Sequence, residues 1–184
     1  MKVVSLTGYK HFELGIYNQK DFAIQCIKDA LKKKLIPLIE DGLEWVLLSG
    51  HPGVELWGAE VVLALKDFYP QLKLAVVPAF LFQHENWKEE TKGAYEKVVS
   101  QADFHQSVTN KGYESPEQYR LKNMFLTSKS EGLIIVFDEE KTGSPKYQYE
   151  MALKKQQQQP YEIIRIGFDD LQEIADEYNN NNYV

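Results

Sequence analysis

The sequence predicts an α/β fold: a Rossmann-like, doubly wound and mostly parallel sheet with helices on both faces. Three observations predict it. Short apolar runs at 2–7, 44–48, 72–77, 133–137 and 161–166 alternate with longer segments of helical periodicity. The run Leu133 to Phe137 is apolar throughout, as a strand covered on both faces must be. Glycine-bearing turns follow the first, second and fifth strands, which is where an open parallel sheet places its ligands.

The first strand, 2–7, ends in Thr7-Gly8-Tyr9-Lys10, and a loop runs on to Gly15. From about Asn18, with Asp21 in the first turn, Ile24, Ile27, Leu31, Leu35 and Leu38 recur at helical spacing. That helix stops at Gly42, the residue type favoured just past a helix end. Its Lys32-Lys33-Lys34 run reads as a solvated face, and Cys26 as a buried structural thiol. The second strand, 44–48, turns through Ser49-Gly50-His51-Pro52-Gly53 into a helix over 54–68, closed by Pro70. A third strand, 72–77, ends at Pro78 and leads through an aromatic loop to a helix from about Trp87 to Gln101.

Residues 104–109 read as a short strand whose place in the sheet the sequence leaves open. Pro116 and Pro145 stand as N1 residues of helices reaching about Lys129 and Gln158. A final strand at 161–166 and a helix at 169–178 complete the order. The expectation is one domain over 1–178, with a disordered asparagine-rich tail at 179–184.

Composition narrows the class. With 43% hydrophobic and 26% charged residues, the chain has the balance of a soluble globular protein. No apolar run approaches the roughly 20 residues a membrane span needs, so no membrane is expected. The first residues lack a signal-peptide pattern and there is one cysteine, so a cytoplasmic location is expected. No histidine is spaced for metal ligation, and no metal is expected. A net charge of −6 disfavours nucleic acid as a partner. A protein partner and homo-oligomerisation are left open.

The candidate site gathers at the strand ends. Gly8 allows a sharp turn after the first strand, from which Lys10 could reach an anion. Gly50 and Gly53 allow close backbone approach or a positive φ, and Ser49 is a candidate ligand contact in the same turn. Glu55, in the first turn of its helix, either steadies the helix dipole by roughly 0.3–1 kcal/mol or accepts ribose hydroxyls. Gly143-Ser144, at a helix N-terminus, is the expected phosphate site. Lys122 and Asn123 precede the fifth strand, and Asp138 follows it. Tyr9, Trp57, Phe80, Phe82 and Trp87 are read as core or as a stacking face for a base, and His51 as a turn residue that could touch the ligand.

Thr7-Gly8-Tyr9-Lys10, Ser49-Gly50, Gly53-Val54-Glu55-Leu56-Trp57, Lys122-Asn123 and Gly143-Ser144-Pro145-Lys146-Tyr147 together resemble the YpsA-like family of the SLOG superfamily. That superfamily includes the DNA-processing protein DprA and the LOG-type phosphoribohydrolases. The resemblance implies a Rossmann-like fold that binds a nucleotide or a nucleotide-derived ligand, with no other cofactor indicated. LOG-type enzymes carry Pro-Gly-Gly-x-Gly-Thr-x-x-Glu where this chain has Asp138-Glu139-Glu140-Lys141-Thr142-Gly143-Ser144-Pro145, and Lys122 stands in place of their arginine. A ligand-sensing regulatory protein is therefore favoured over a LOG-like N-glycosidic hydrolase, in which Glu55 would be the catalytic carboxylate. A DprA-like binder of single-stranded DNA ranks third.

Overall fold

A computed structural model describes residues 1–182. Its strands are β1 (Val3–Gly8), β2 (Trp45–Leu48), β3 (Lys73–Val76), β4 (Phe104–His105), β5 (Gly132–Val136) and β6 (Glu162–Ile166). Its helices are α1 (Phe22–Glu40), α2 (Val54–Lys66), α3 (Glu89–Gln101), α4 (Glu117–Lys129), α5 (Pro145–Gln158) and α6 (Phe168–Asn181). All strand pairs are parallel, and the six-stranded sheet runs β4-β3-β2-β1-β5-β6. The fold is therefore α/β and Rossmann-like. Strand order reverses between β1 and β5, so the chain ends above these strands diverge and leave room for a ligand.

The side-chain period of two along each strand divides the core. Val4 and Leu6 of β1, Val46 and Leu48 of β2, and Leu74 and Val76 of β3 join the large core with Ile27, Leu31 and Leu35 of α1 and Val62 of α2. On that face α1 packs beside α2 and α6, and α2 beside α3. The opposite face carries α4 and α5 over a small apolar cluster of Leu47, Ala75, Val77 and Leu126. Under α5 the sheet turns polar, because β1 presents Ser5 and Thr7 there, both buried.

Several boundaries differ from the sequence reading. α1 begins after Asp21, whose carboxylate accepts the Ala23 N–H at 2.9 Å, so Asp21 is the cap rather than a first-turn residue. The loop after β1 contains a 3-10 turn, His11–Leu14. Of residues 104–109 only Phe104 and His105 pair, against β3 at the sheet edge. α6 continues through Asn181, so the expected tail at 179–184 is helical over its first residues. Tyr178 explains this: its hydroxyl bonds Asp29 and its ring meets Phe22 edge-on, which fixes the last turns against α1. Residues 183 and 184 lie outside the described residues.

Candidate functional site

A cleft of 580 Å³ opens above the carboxyl ends of β1 and β2 and is walled by α4 and α5. Thr7, Gly8, His51 and Glu55 line its floor, and Tyr119 and Tyr147 stand on facing helices. α4 makes the cleft polar. Its buried stripe runs Gln118, Lys122, Asn123, Leu126 and Thr127, a helical repeat that is polar for its first two turns and apolar only at Leu126.

Glu55 is the hub. It is 2% exposed and accepts the Thr7 hydroxyl at 2.8 Å on Oε1. On Oε2 it accepts the Ser49 N–H at 3.2 Å, the His51 N–H at 3.1 Å and the Ser49 hydroxyl. Burial by itself raises the pKa of this carboxyl. Lys122 first, and then the Ser49 and Thr7 hydroxyls, outweigh it and hold the group below its ordinary value. The resulting carboxylate ties the end of β1, the end of β2 and the following turn to the first turn of α2.

Lys122 is 6% exposed, and its Nζ makes no hydrogen bond or ion pair among the described residues. Burial lowers its pKa; Glu55 raises it in part, and Lys10 lowers it further. His51 is depressed to about 3 by burial first and then by Lys122, which leaves a neutral ring at neutral pH. That ring lies 5.8 Å from the Tyr119 ring, and Lys10 Nζ lies 5.8 Å from the same ring on Tyr119. Lys10 and Lys154 also lack ion pairs among the described residues, whereas Arg120 is paired with Glu117. The cleft lining sets Lys10, Arg120, Lys122 and Lys154 against Glu55, Glu117 and Glu150, a slight positive excess in a protein of net charge −6.

Of the residues singled out in the sequence, Gly8, Lys10, Glu55, Lys122, Asn123 and Ser144 line this cleft together. Ser49 lies behind Glu55 and is fully buried. Tyr9 is also fully buried; its hydroxyl accepts the Asp138 N–H at 3.0 Å and donates to the Lys141 carbonyl at 2.7 Å. Gly50 packs on the Tyr95 ring. Gly53 sits at φ 115° against the backbone of Tyr9 and Lys10 and faces a separate cavity of 260 Å³ with Pro52, Leu56 and Trp57. Asp138 accepts the Glu140 N–H at 3.0 Å and the Phe168 N–H at 3.2 Å, the second at the start of α6.

Gly143-Ser144 holds an anion already, and it is the chain's own. The Glu13 carboxylate accepts the Ser144 N–H at 2.7 Å and the Ser144 hydroxyl at 2.6 Å. It also accepts the Lys10 N–H at 2.9 Å, and a Cβ on Gly143 would stand 2.6 Å from it. A ligand phosphate is left with the lysines instead. The expected stacking set does not line the cleft either. Phe80 packs on Tyr113 and Tyr119, and Phe82 points to solvent. The aromatic walls are Tyr119, which the sequence does not single out, and Tyr147, which it offers only as part of the Gly143-to-Tyr147 motif; each falls on a helix face next to a singled-out residue. Among the described residues no cluster of three or more His, Cys, Asp or Glu side chains could hold a metal ion.

The family model described as the YspA SLOG family matches residues 4–171. The chain belongs to this family. A UPF0398 protein of Bacillus cereus (strain ATCC 14579) is 54% identical over 182 residues, covering 99% of each chain. A UPF0398 protein of Bacillus thuringiensis (strain Al Hakam) is 53% identical with the same coverage. Among solved structures, DNA processing protein A from Helicobacter pylori aligns with a TM-score of 0.51 at 15% identity, over 97% of this chain and 81% of that one. At that identity the likeness is one of fold. DNA processing protein A binds single-stranded DNA. This corrects the exclusion of nucleic acid on net charge: a protein of this fold has it as a partner, and the −6 of the whole chain says nothing of the charge inside the cleft. Among the described residues no helix is long and apolar enough to cross a membrane.

Proposed function

We propose that the cleft binds a nucleotide or a nucleotide-derived phosphate ligand and that the protein works as a ligand-sensing regulatory module. One observation carries the reading: Lys10 and Lys122 line one cleft, and neither makes an ion pair among the described residues. Glu55 offsets the burial of Lys122 only in part, so a ligand anion would complete the pairing. Tyr119 and Tyr147 offer apolar ring faces for a base. Glu55 supports sensing over hydrolysis, since it is buried and already accepts four hydrogen bonds, leaving one acceptor position on Oε1 for a ribose hydroxyl. Calorimetry with nucleoside mono- and diphosphates tests the reading. Wild type should bind at least one of them, and Lys10→Met/Lys122→Met should lose about 1–3 kcal/mol of that affinity. Failure of every nucleotide to bind wild type would overturn the proposal. Release of free base by wild type, absent in Glu55→Gln, would replace sensing with hydrolysis.

A second reading, a single nucleic-acid strand in the same cleft, has its own support. Tyr147 is 65% exposed at the rim, with Lys154 and Arg120 lining the same cleft, an arrangement suited to stacking and phosphate contact. Fluorescence anisotropy with a labelled oligonucleotide tests it, and competition by mononucleotide should follow if the cleft is the site.

A further inference from the structure

We propose that Lys122 is an imine-forming amine that captures the open-chain aldehyde of a phosphorylated reducing sugar bound in the cleft. The inference rests on the cleft being a phosphate site, and it narrows the ligand to one with a free anomeric carbon.

Two lysines share the cleft but not the same surroundings. Lys10 is half-buried on the loop after β1, and it can anchor a phosphate while remaining solvated. Lys122 is almost wholly buried on the inner stripe of α4, beside the floor formed by Thr7 and Glu55. A lysine that is desolvated and set near a second cation gives up its proton readily, and the free amine is a nucleophile. Both conditions hold here: burial first, and then the charge of Lys10, push Lys122 toward the neutral form, and Glu55 opposes them only in part. Its Nζ has no hydrogen bond or ion pair among the described residues, so the lone pair is not engaged elsewhere.

The step balances without an oxidant or a co-reactant. The Nζ lone pair attacks C1 of the aldehyde, a C–N bond forms and the carbonyl π electrons move to oxygen. A proton passes from nitrogen to that oxygen, which gives a carbinolamine. Nitrogen then expels the hydroxyl, which leaves as water after taking up a proton, and an iminium remains. Its positive charge lies where the ammonium charge would have been, near enough to Glu55 for the carboxylate to offset it. His51, neutral and half-buried beside both groups, adds no opposing charge.

The test treats the full chain with ribose 5-phosphate and sodium cyanoborohydride, then maps adducts by peptide mass spectrometry. Ribitol 5-phosphate, which has the phosphate but no carbonyl, reports non-covalent binding through the melting temperature. Lys122 should carry one reduced pentose phosphate, enriched at least about tenfold over the exposed Lys20 and Lys97 of the same digest. Excess ribitol 5-phosphate should suppress this adduct, and Lys122→Met, checked by circular dichroism, should lose it. Adducts spread evenly over surface lysines, or none at all, would overturn the proposal while a thermal shift with ribitol 5-phosphate left the phosphate site standing. No adduct together with no shift from either sugar phosphate would also overturn the proposal, while the nucleotide reading is decided separately by the calorimetry with nucleoside phosphates. The wild-type map decides the matter even if the methionine variant folds poorly.

Discussion

Glu55 holds three chain segments through one carboxylate, and its charge state should be visible in stability. Its folded-state pKa lies below the unfolded value, so its contribution is present above about pH 4.3 and fades as pH falls through the folded pKa. Glu55→Gln places an amide N–H₂ among four donors and should cost about 1–3 kcal/mol at neutral pH. Chemical denaturation of both proteins should show the gap shrinking as pH falls below about 4.3, where the unfolded carboxyl is protonated, and closing once the pH passes the lower folded-state pKa. A gap independent of pH would mean that the charge is not what stabilises the turn. Gly53 makes a different contribution at the same corner. At φ 115° and ψ −137°, an added Cβ would stand 2.6 Å from the Tyr9 carbonyl oxygen and 2.6 Å from the His11 nitrogen. Of the two reasons the sequence offers for glycine here, close approach or positive φ, the structure shows the positive φ, and the close approach is to the chain's own backbone. Gly53→Ala should lower the denaturation midpoint by an amount equivalent to about 1–3 kcal/mol or more. Ligand binding should fail with the fold rather than ahead of it, and an unchanged midpoint would contradict this.

At the scale of elements, α4 and the start of α5 separate what the sequence reveals from what it hides. The strand–helix alternation and most element boundaries were legible, because apolar runs and Pro or Gly punctuation act locally. Lys122-Asn123 were legible as candidates, but their burial was not, since it arises from where α4 lies across the sheet. One signal was available: the stripe Gln118, Lys122 and Asn123 breaks the apolar pattern of a packing helix, and such breaks mark functional positions. Glu13 at Ser144 was illegible, because the two residues are 131 positions apart and only the fold brings them together. α4 also carries a trade between stability and function. The ammonium of Lys122 is disfavoured in the folded state, burial being the largest cause. Lys122→Met should therefore raise stability, by about 1 kcal/mol, while removing one of the three cleft lysines that make no ion pair among the described residues. A thermal melt in the absence of ligand reads this directly, and a clear drop in stability would show that attraction to Glu55 outweighs the burial cost.

For the whole molecule, average charge and local charge point in opposite directions. The chain carries −6 overall, yet Lys10, Lys122 and Lys154 line the cleft with no ion pair among the described residues, against the carboxylate of Glu55, while Arg120 is paired with Glu117 and Glu150 with Lys146. At physiological ionic strength the Debye length is about 8 Å, so acidic groups on distant faces are screened from a ligand in the cleft. Net charge therefore does not decide for or against nucleic acid, because a ligand in the cleft meets the local charge and not the average. The unpaired lysines also set a bound on salt dependence. Each phosphate neutralised on a single strand contributes about −0.7 to the slope of log affinity against log salt. Three lysines therefore allow a slope no steeper than about −2 for a strand lying in the cleft. Anisotropy of a labelled oligonucleotide across about 50–200 mM salt would measure it. A slope near or shallower than that value, flattened further by Lys154→Ala, would keep the strand in this cleft. A slope several times steeper would require cations outside it, and the interface would have to be sought on another face of the protein.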